Sequence, residues 1–445
     1  MLNLDGITVE SRAETEKQYD FIVRATTGPA PCCLTPPVRN GLKRVKYLDL
    51  PMHGRHVVIW ADRQRYKCSC GKTLYQAIPH MNDTNMMTQR LVYYIERMGL
   101  ENTFASLSRT LGVSEGTVRG IFKRMARREL AKLEIKTPEI MGLDEVHILS
   151  RFRGVVTNIG QRTLVDILPN RNKPSIIKYL SAIPDKETIK VVAMDMWKPY
   201  KDAVNLVLPH AKIVVDKFHV VRMANEAMER IRKAHRLTLP TKSRLQLKDD
   251  RWILLRNMED LPAMKLMIME SWFERFPDLK AAYEAKEAFR AIWDSKTKEE
   301  AMALYDQWED NLPDSCADAF IDLRLAMRNW RAEIFNHFEA RVTNAYTEAM
   351  NGITRIVNRA GRGYSFEVLR ARLLLNYSNQ KTEGGGGCYY GKRPVPPWSN
   401  LAAGYPYWIG VPWQRFTRDK VRGINLGEVS GKVHRYFRSS TQFSG

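Results

Sequence analysis

Cysteine and acidic residues are both scarce in this sequence. The chain has 6 cysteines in 445 residues, too few for the disulfide framework of a secreted protein. Its 49 aspartate and glutamate residues are outnumbered by 70 lysine and arginine residues, which gives a net charge of +21. An enzyme of small metabolites seldom carries so much charge of one sign, because like charges repel unless a polyanion is bound. We therefore expect a nucleic acid as the main partner.

A membrane-spanning segment is also lacking. The uncharged stretch 394–414 reaches spanning length, but prolines interrupt it throughout, so we do not expect it to cross a membrane. The first residues lack the basic and then apolar pattern of a secretory signal. No basic amphipathic helix or lipidation motif favours an anionic membrane surface as the partner. The sequence predicts a cytoplasmic protein that binds no membrane.

Changes in composition divide the chain into segments, and the length alone predicts about three domains. Apolar periodicity switches between strand-like alternation and helical spacing along the chain. The predicted segments are an N-terminal module (1–82), a helical segment (84–135), an α/β segment (138–222), an all-helical segment (223–342), a further helix (343–377) and a basic, aromatic tail (378–445).

The cysteines of the N-terminal module indicate a zinc-ribbon-like fold. The four candidate Zn²⁺ ligands are Cys32, Cys33, Cys68 and Cys70. Thiolates at the ends of two tight turns bind zinc tetrahedrally, although a ribbon normally spaces each pair with two intervening residues. His53 or His56 could replace one cysteine. The alternative is a small β module with reduced, buried thiols.

Residues 103–128 have the pattern of a helix-turn-helix. Apolar residues at helical spacing precede Gly112, which ends the first helix, and Ser114 caps the second. The second helix has Val118, Ile121, Phe122 and Met125 at the spacing of one buried side. Its other side is a basic face made of Arg119, Lys123, Arg124, Arg127 and Arg128. A basic second helix can enter the major groove of DNA. The alternative is a helical hairpin with a solvated charged face.

The α/β segment predicts three strands followed by alternating helices and strands. Ile140–Ile148 has Asp144 at its centre, a fourth strand ends at Asp195, and a fifth ends at Asp216. The order β-β-β-α-β-α-β is that of the ribonuclease-H-like fold, in which the middle of the first strand and the end of the fourth are adjacent. Asp144 and Asp195 should therefore converge.

Two converging carboxylates predict a divalent-cation site. Buried acids repel unless a cation lies between them, and paired Mg²⁺ ions held by carboxylates are the device for phosphodiester displacement. A third carboxylate should come from a helix packed on the sheet, and Glu348 within Asn344–Asn351 is the candidate. Taken alone, each acid could be a cap or a surface residue.

At this point the chain resembles the DDE transposases of the ISL-three family of bacterial insertion sequences, over about residues 30–377. The matching motifs are Gly142–Glu145, Ala193–Tyr200, Val215–Arg222, Asn344–Asn351 and Asn358–Arg372. The chain departs from the family pattern at Ala345 and Ala349, where glycines are favoured, and at Arg355, where lysine is usual. Both cations contact phosphate, with different geometry.

The resemblance implies a catalytic domain split by an all-α insertion, and a triad of Asp144, Asp195 and Glu348 holding two Mg²⁺ or Mn²⁺ ions. It implies binding to the terminal inverted repeats of the element, strand cleavage and strand transfer to target DNA. Two ends must be held together, so we expect a homodimer or larger complex on double-stranded DNA, at the bacterial nucleoid. Arg355 is expected to contact DNA.

Asp216 and His219 form a D-x-x-H element that could be mistaken for part of the triad. Since Asp195 closes the fourth strand, we assign Asp216 and His219 an auxiliary role, in which they orient DNA or the glutamate. Arg222, Arg230, Lys233 and Arg236 either line a DNA channel or form a solvated face. The tail suits DNA contact, a partner subunit or packing on its own catalytic domain.

Two other functions share these features. One is a catalytically silent DNA-binding regulator derived from a transposase, which the presence of all three acids disfavours. The other is a structure-selective nuclease of the same fold, which the helix-turn-helix disfavours because it predicts sequence reading.

Overall fold

The computed structural model describes residues 2–25 and 36–378. No helix within these residues is long and apolar enough to span a membrane. The strands are β1 (Ile7–Glu14), β2 (Gln18–Ala25), β3 (Val38–Met52), β4 (Arg55–Lys67), β5 (Thr73–Tyr75), β6 (Met81–Asn82), β7 (Met87–Thr88), β8 (Ile140–Ile148), β9 (Arg151–Asn158), β10 (Thr163–Ile167), β11 (Val191–Met194) and β12 (Lys212–Val215).

The helices form four groups along the chain. The first group is α1 (Gln89–Met98), α2 (Phe104–Leu111) and α3 (Glu115–Leu130), and α4 (Lys173–Ser181) and α5 (Lys198–Val207) follow within the α/β segment. The insertion comprises α6 (Lys217–Thr238), α7 (Thr241–Asp249), α8 (Arg251–Leu255), α9 (Ala263–Arg275), α10 (Pro277–Ala291), α11 (Lys298–Asp310), α12 (Asp314–Ala317), α13 (Ile321–Asn329), α14 (Arg331–Phe335) and α15 (His337–Ala340). The chain then forms α16 (Ala345–Ala360) and α17 (Phe366–Tyr377).

The N-terminal residues form a seven-stranded sheet with the order β1-β2-β4-β3-β7-β6, in which β5 pairs with the end of β4. The long β3–β4 hairpin is its centre, and β2 pairs with β4 in parallel. Alternating inward residues such as Tyr47, Val57 and Ile59 fill its core. The sheet extends to Thr88, beyond the predicted module end at residue 82.

Helices α2 and α3 are joined by a short turn whose conformation depends on glycine. Thr103 caps α2 by accepting a hydrogen bond from the N–H of Ser106. Gly112 takes a left-handed φ of 65°, where a side chain would be strained, and Ser114 caps α3 by accepting from the N–H of Thr117. Val118, Ile121, Phe122 and Met125 are buried as predicted.

The α/β segment forms a five-stranded sheet with the order β10-β9-β8-β11-β12. β8, β9 and β10 pair antiparallel, whereas β11 pairs parallel with both β8 and β12. Helices α4 and α5 cover one face, on a core that includes Leu143 and Tyr200. Helices α16 and α17 cover the other face, where Met350 packs with Val146. Parallel strands joined by crossover helices align their carboxyl ends at one edge.

The insertion between β12 and α16 is all-helical, as predicted, and surrounds one large apolar core. Helix α6 begins directly after β12 and continues into the insertion, so it crosses the predicted boundary between residues 222 and 223. The sheet and the insertion therefore share one rigid element.

Helix α17 joins the helical segment to the α/β sheet. Val368 and Leu375 pack in the core of α1–α3, whereas Leu369 and Leu373 pack against the sheet. The buried Arg372 donates hydrogen bonds to the carbonyls of Asn102 and Leu100. The tail that follows α17 lies outside the described residues.

Candidate active site

Asp144 and Asp195 lie side by side at the carboxyl edge of the parallel strands. Asp144 is in the middle of β8, and Asp195 directly follows β11. The parallel register pairs Met194 with Leu143, so the next residues along both strands are the two aspartates. The structure brings these two sequence-predicted acids together.

The environment of Asp144 opposes its ionisation. Burial, followed by the negative charge of Asp195, raises the pKa of Asp144 to about 7, although a hydrogen bond from the N–H of Glu145 lowers it. Only 6% of Asp144 is exposed to solvent. The pair therefore carries unfavourable charge that a bound cation would compensate.

Asp195 contacts His219, which lies near the start of helix α6, just after the neighbouring strand β12. Its Oδ2 lies 2.9 Å from Nε2 of His219, in the first turns of α6. This hydrogen bond is the main cause that raises the pKa of His219 above its usual value. The other carboxylate oxygen, Oδ1, is buried and has no hydrogen-bond partner among the described residues.

The acid pair matches a divalent cation in charge and donor type. Carboxylate oxygens are the ligands that Mg²⁺ prefers, and Asp195 Oδ1 is a buried acceptor that receives no hydrogen bond from the described residues. Within residues 2–25 and 36–378, however, no group of three His, Cys, Asp or Glu side chains is gathered closely enough to hold a metal ion. Two of the three predicted ligands are therefore adjacent, and the third, Glu348, is not beside them.

Helix α16 approaches β8 closely enough to touch Asp144. Asn351 Nδ2 donates to Asp144 Oδ2 at 2.7 Å and to the carbonyl of Glu145 at 3.2 Å. The hydroxyls of Thr347 and Thr157 are 2.8 Å apart. A Cβ on Gly142 would overlap both of these hydroxyls, so the helix can dock only because residue 142 is glycine.

Glu348 lies on the exposed side of α16, one turn before Asn351. Residues three apart on a helix are neighbours, roughly 5–6 Å between Cβ atoms, so Glu348 is next to the residue that contacts Asp144. Its side chain forms no hydrogen bond or ion pair with any residue in the described ranges. Arg355 is also exposed, two turns further along the same side of the helix.

Asp216 is separate from the acid pair. It is 1% exposed, caps α6 by accepting from the N–H of Phe218 at 2.9 Å, and accepts from the N–H of Asn344 at 2.6 Å. Asn344 is the residue before α16. Asp216 therefore connects the end of β12 to the start of the helix that carries Glu348.

Comparison with known proteins identifies the family of the chain. A family model described as a transposase, that of the ISL-three group of DDE transposases, matches residues 141–373. The chain belongs to this family. A second model, described as the zinc-finger of the transposases of IS204, IS1001, IS1096 and IS1165, matches residues 31–70. The chain is 23% identical over 331 residues to the transposase for insertion sequence element IS1001 of Bordetella parapertussis, covering 73% of this chain and 81% of that protein.

The zinc-finger match includes all four predicted cysteine ligands, of which Cys32 and Cys33 lie outside the described residues. Cys68 and Cys70 lie in a tight turn between β4 and β5, where the N–H of Gly71 donates to the carbonyl of Cys68 at 2.9 Å. His53 and His56 are at the opposite end of β4. An extended strand of that length spans roughly 40 Å, so the idea that either histidine joins these cysteines at zinc is wrong.

Three of the five cations on the predicted basic face of α3 already interact with other side chains. Arg119 forms an ion pair with Glu115, Arg124 donates a hydrogen bond to Asn85, and Arg128 forms ion pairs with Glu96 and Glu129. Lys123 and Arg127 form no ion pair or hydrogen bond within residues 2–25 and 36–378. Lys123 and Arg127 can therefore contact a negatively charged ligand without first breaking an ion pair with the described residues.

Sequence reasoning missed two residues of the site. Asn351 was recognised only as part of a motif, although it contacts Asp144 directly. Arg171 was not recognised at all: it forms an ion pair with Glu145, and its guanidinium lies 4.6 Å from the ring centroid of Trp197. Neither contact has a local sequence signal, because each joins segments that are distant in the chain.

Replacing Asp144 with asparagine should change how stability depends on pH. An acid whose pKa is raised from 3.8 to about 7 makes the wild-type fold less stable as pH rises through that window, and asparagine removes this dependence. Each pKa unit corresponds to roughly 1.4 kcal/mol, so the stability of the variant relative to that of the wild type should rise by about 4 kcal/mol between pH 4 and pH 8. Chemical unfolding in chelator, at several pH values, measures this difference. Parallel stability curves for the two proteins would disprove the shift.

Proposed function

We propose that this chain is an active DNA transposase that binds the terminal inverted repeats of its insertion sequence, cleaves at their ends and transfers the strand to target DNA. The observation that carries the proposal is the adjacent pair Asp144 and Asp195: the pKa of Asp144 is raised, and Oδ1 of Asp195 has no hydrogen-bond partner among the described residues. The family match and the relative's name support the same reaction class.

The sheet order supports a ribonuclease-H-like catalytic domain. Three antiparallel strands, with the first in the centre, continue into two parallel strands on its other side. This order places the acid of the first strand beside the acid that follows the fourth. Function on such a fold depends on the acids at this edge and not on the fold alone.

Asp144, Asp195 and Glu348 are the proposed ligands of two Mg²⁺ or Mn²⁺ ions. Divalent cations in such a site lower the pKa of the attacking water or hydroxyl and neutralise charge on the phosphate. Asn351 fixes the orientation of Asp144, and His219 fixes that of Asp195. Such support keeps carboxylates aligned for a ligand. Glu348 completes the set by moving its exposed side chain toward the pair.

We assign α2 and α3 to a DNA-reading helix-turn-helix. Gly120, Lys123 and Arg127 lie on the side of α3 opposite its buried residues, and this side is open. Residues near the start of the second helix usually meet base edges, whereas cations further along contact phosphates. Arg128, which is engaged by two carboxylates, contributes less than we expected from the sequence.

Replacing Gly120 with alanine should stabilise the protein and weaken DNA binding. Among the described residues, a Cβ at this position meets only Arg124, at 3.6 Å, and alanine favours a helix over glycine by about 1 kcal/mol. The same methyl group would separate α3 from a groove, and we expect about tenfold weaker binding to repeat DNA. Thermal unfolding and fluorescence anisotropy on repeat and random duplexes measure both effects. Unchanged repeat affinity would remove this face from the interface.

The proposal also includes assembly and zinc. Cutting two element ends together requires at least a homodimer, and the zinc-finger match supports Zn²⁺ binding by the N-terminal cysteines. Both are measurable on the purified chain, by light scattering on repeat DNA and by metal analysis.

The direct test is cleavage of DNA that carries an element end, with Mg²⁺ or Mn²⁺, beside footprinting on repeat and random duplexes. We expect a specific footprint and cuts at the end of the repeat. A footprint without cleavage would indicate a silent regulator, and cleavage that follows DNA structure without a footprint would indicate a structure-selective nuclease.

A further inference from the structure

Trp252 differs from the other tryptophan residues of the insertion. Its side chain is 64% exposed, whereas Trp272, Trp293 and Trp308 are each 7% exposed and belong to the core. It lies on α8, at a cleft of about 550 Å³ formed with α6 and α7. An exposed tryptophan in a concave site is a typical recognition residue and contributes little to the fold.

The floor of this cleft is a buried ion pair between Arg232 and Glu229. Arg232 donates to both carboxylate oxygens of Glu229, at 2.6 and 3.0 Å, and to the carbonyl of Leu247 at 3.0 Å. Arg251 also contacts Glu229, at 3.1 Å. The single acid in the floor is therefore neutralised by two arginines, and α6 is fixed to α7.

The rim of the cleft is positive and unpaired. Lys233, Arg236 and Lys248 line it and form no ion pair or hydrogen bond within the described parts of the chain. Asp249 is the acid that accompanies them. By contrast, Arg222 and Arg230, earlier on α6, are engaged by Glu226 and Asp322. Unpaired like charges around one cleft repel each other unless an anion binds there.

The tryptophan ring is also held in place. The guanidinium of Arg251 lies 4.9 Å from the centroid of Trp252, and Arg251 is itself fixed to Glu229. A fixed, exposed ring beside several free cations matches a surface that stacks a base and contacts the adjoining phosphates. Paired bases inside a duplex do not present a free face for such stacking.

We propose that this cleft binds a DNA strand with unpaired bases, through stacking on Trp252 and phosphate contacts from Lys233, Arg236 and Lys248. The inference rests on the proposed function, because strand cleavage at an element end produces DNA whose bases can separate. It adds to that function a second DNA-binding surface, on the insertion and remote in sequence from α3.

The test compares binding of a labelled thymidine 30-mer and of a repeat-containing duplex to the full chain. The variants are Trp252→Leu and the double variant Lys233→Ala/Arg236→Ala. The matched control is Lys265→Ala/Arg328→Ala, which removes one lysine and one arginine from exposed positions of the insertion outside the cleft. Thermal unfolding verifies that each variant is folded, and light scattering reports its assembly state.

We expect each cleft variant to bind the single strand about tenfold more weakly, whereas the control and the duplex affinity change less than about twofold. The double variant should also reduce the slope of log affinity against log salt by about 1.4, or roughly 0.7 for each lost phosphate contact. Single-strand affinity equal to that of the wild type would overturn the proposal. The proposal would also be overturned if single-strand affinity fell only in variants whose assembly dissociates. The cleft would then be a contact between copies of the chain. If the wild type neither binds repeat DNA nor cleaves it, the proposed function fails, whatever the cleft result.

Discussion

Replacing Gly142 with alanine should reduce strand cleavage by about a hundredfold and destabilise the fold by roughly 1–3 kcal/mol. The added Cβ would overlap the hydroxyls of Thr347 and Thr157 and lie 3.1 Å from Asn344 Oδ1. These atoms lie at the contact between α16 and β8, so the helix must move away from the sheet. Asn351 would then lose its 2.7 Å hydrogen bond to Asp144.

The matched control for this variant is Gly352→Ala, on α16 itself. A Cβ at Gly352 meets no atom of residues 2–25 or 36–378 within 4 Å, so the same substitution adds no contact with them. We expect this control to keep its stability or gain up to about 1 kcal/mol, because alanine favours the helix. Chemical unfolding and single-turnover cleavage separate the two variants. Equal stability and equal cleavage rates for the two variants would mean that neither property depends on the close approach of α16 to β8.

Local patterns predicted the parts of the fold that depend on short stretches of chain. Gly112 and Ser114 predicted the turn between α2 and α3, and apolar spacing predicted the buried side of α3. Strand order predicted that Asp144 and Asp195 would be neighbours, because parallel strands align their carboxyl ends.

The N-terminal sheet is larger than the predicted zinc-ribbon-like module, and its full extent could not be predicted from local sequence patterns. Its parallel pairing of β2 with β4 joins segments separated by the whole β3 strand, and no local pattern encodes such a pairing. Asp216 likewise could be read as a metal ligand or an auxiliary residue from sequence. Its contact with the N–H of Asn344 depends on where the insertion returns the chain to the sheet.

Replacing Asp195 with asparagine should abolish cleavage, by roughly a thousandfold or more, and leave repeat binding intact. The change removes one of two adjacent negative charges and disturbs the 2.9 Å contact with His219. When residues act as one catalytic unit, removing any one of them costs a similar loss of activity. We therefore expect Glu348→Gln to reduce cleavage as much as Asp195→Asn does. The helices that we propose to bind DNA are formed by other segments of the chain, so binding should be unaffected.

Asp216→Asn should have a different effect. Asparagine offers one acceptor oxygen where Asp216 uses two, so one of the N–H groups of Phe218 and Asn344 loses its partner. An unsatisfied buried donor costs about 1–3 kcal/mol, and we expect lower stability with partial activity in the folded fraction. We therefore expect the Asp195 substitution to abolish cleavage and the Asp216 substitution mainly to lower stability.

The most direct measurement is single-turnover cleavage of an element end in Mg²⁺ or Mn²⁺, by Asp195→Asn and Asp216→Asn under conditions where both variants are folded and bound to the repeat. The adjacency of Asp144 and Asp195 predicts that the Asp195 variant is inactive and that the Asp216 variant cuts at a reduced rate. Cleavage by Asp195→Asn, with an inactive Asp216→Asn, would contradict it and place the second catalytic acid at the end of β12.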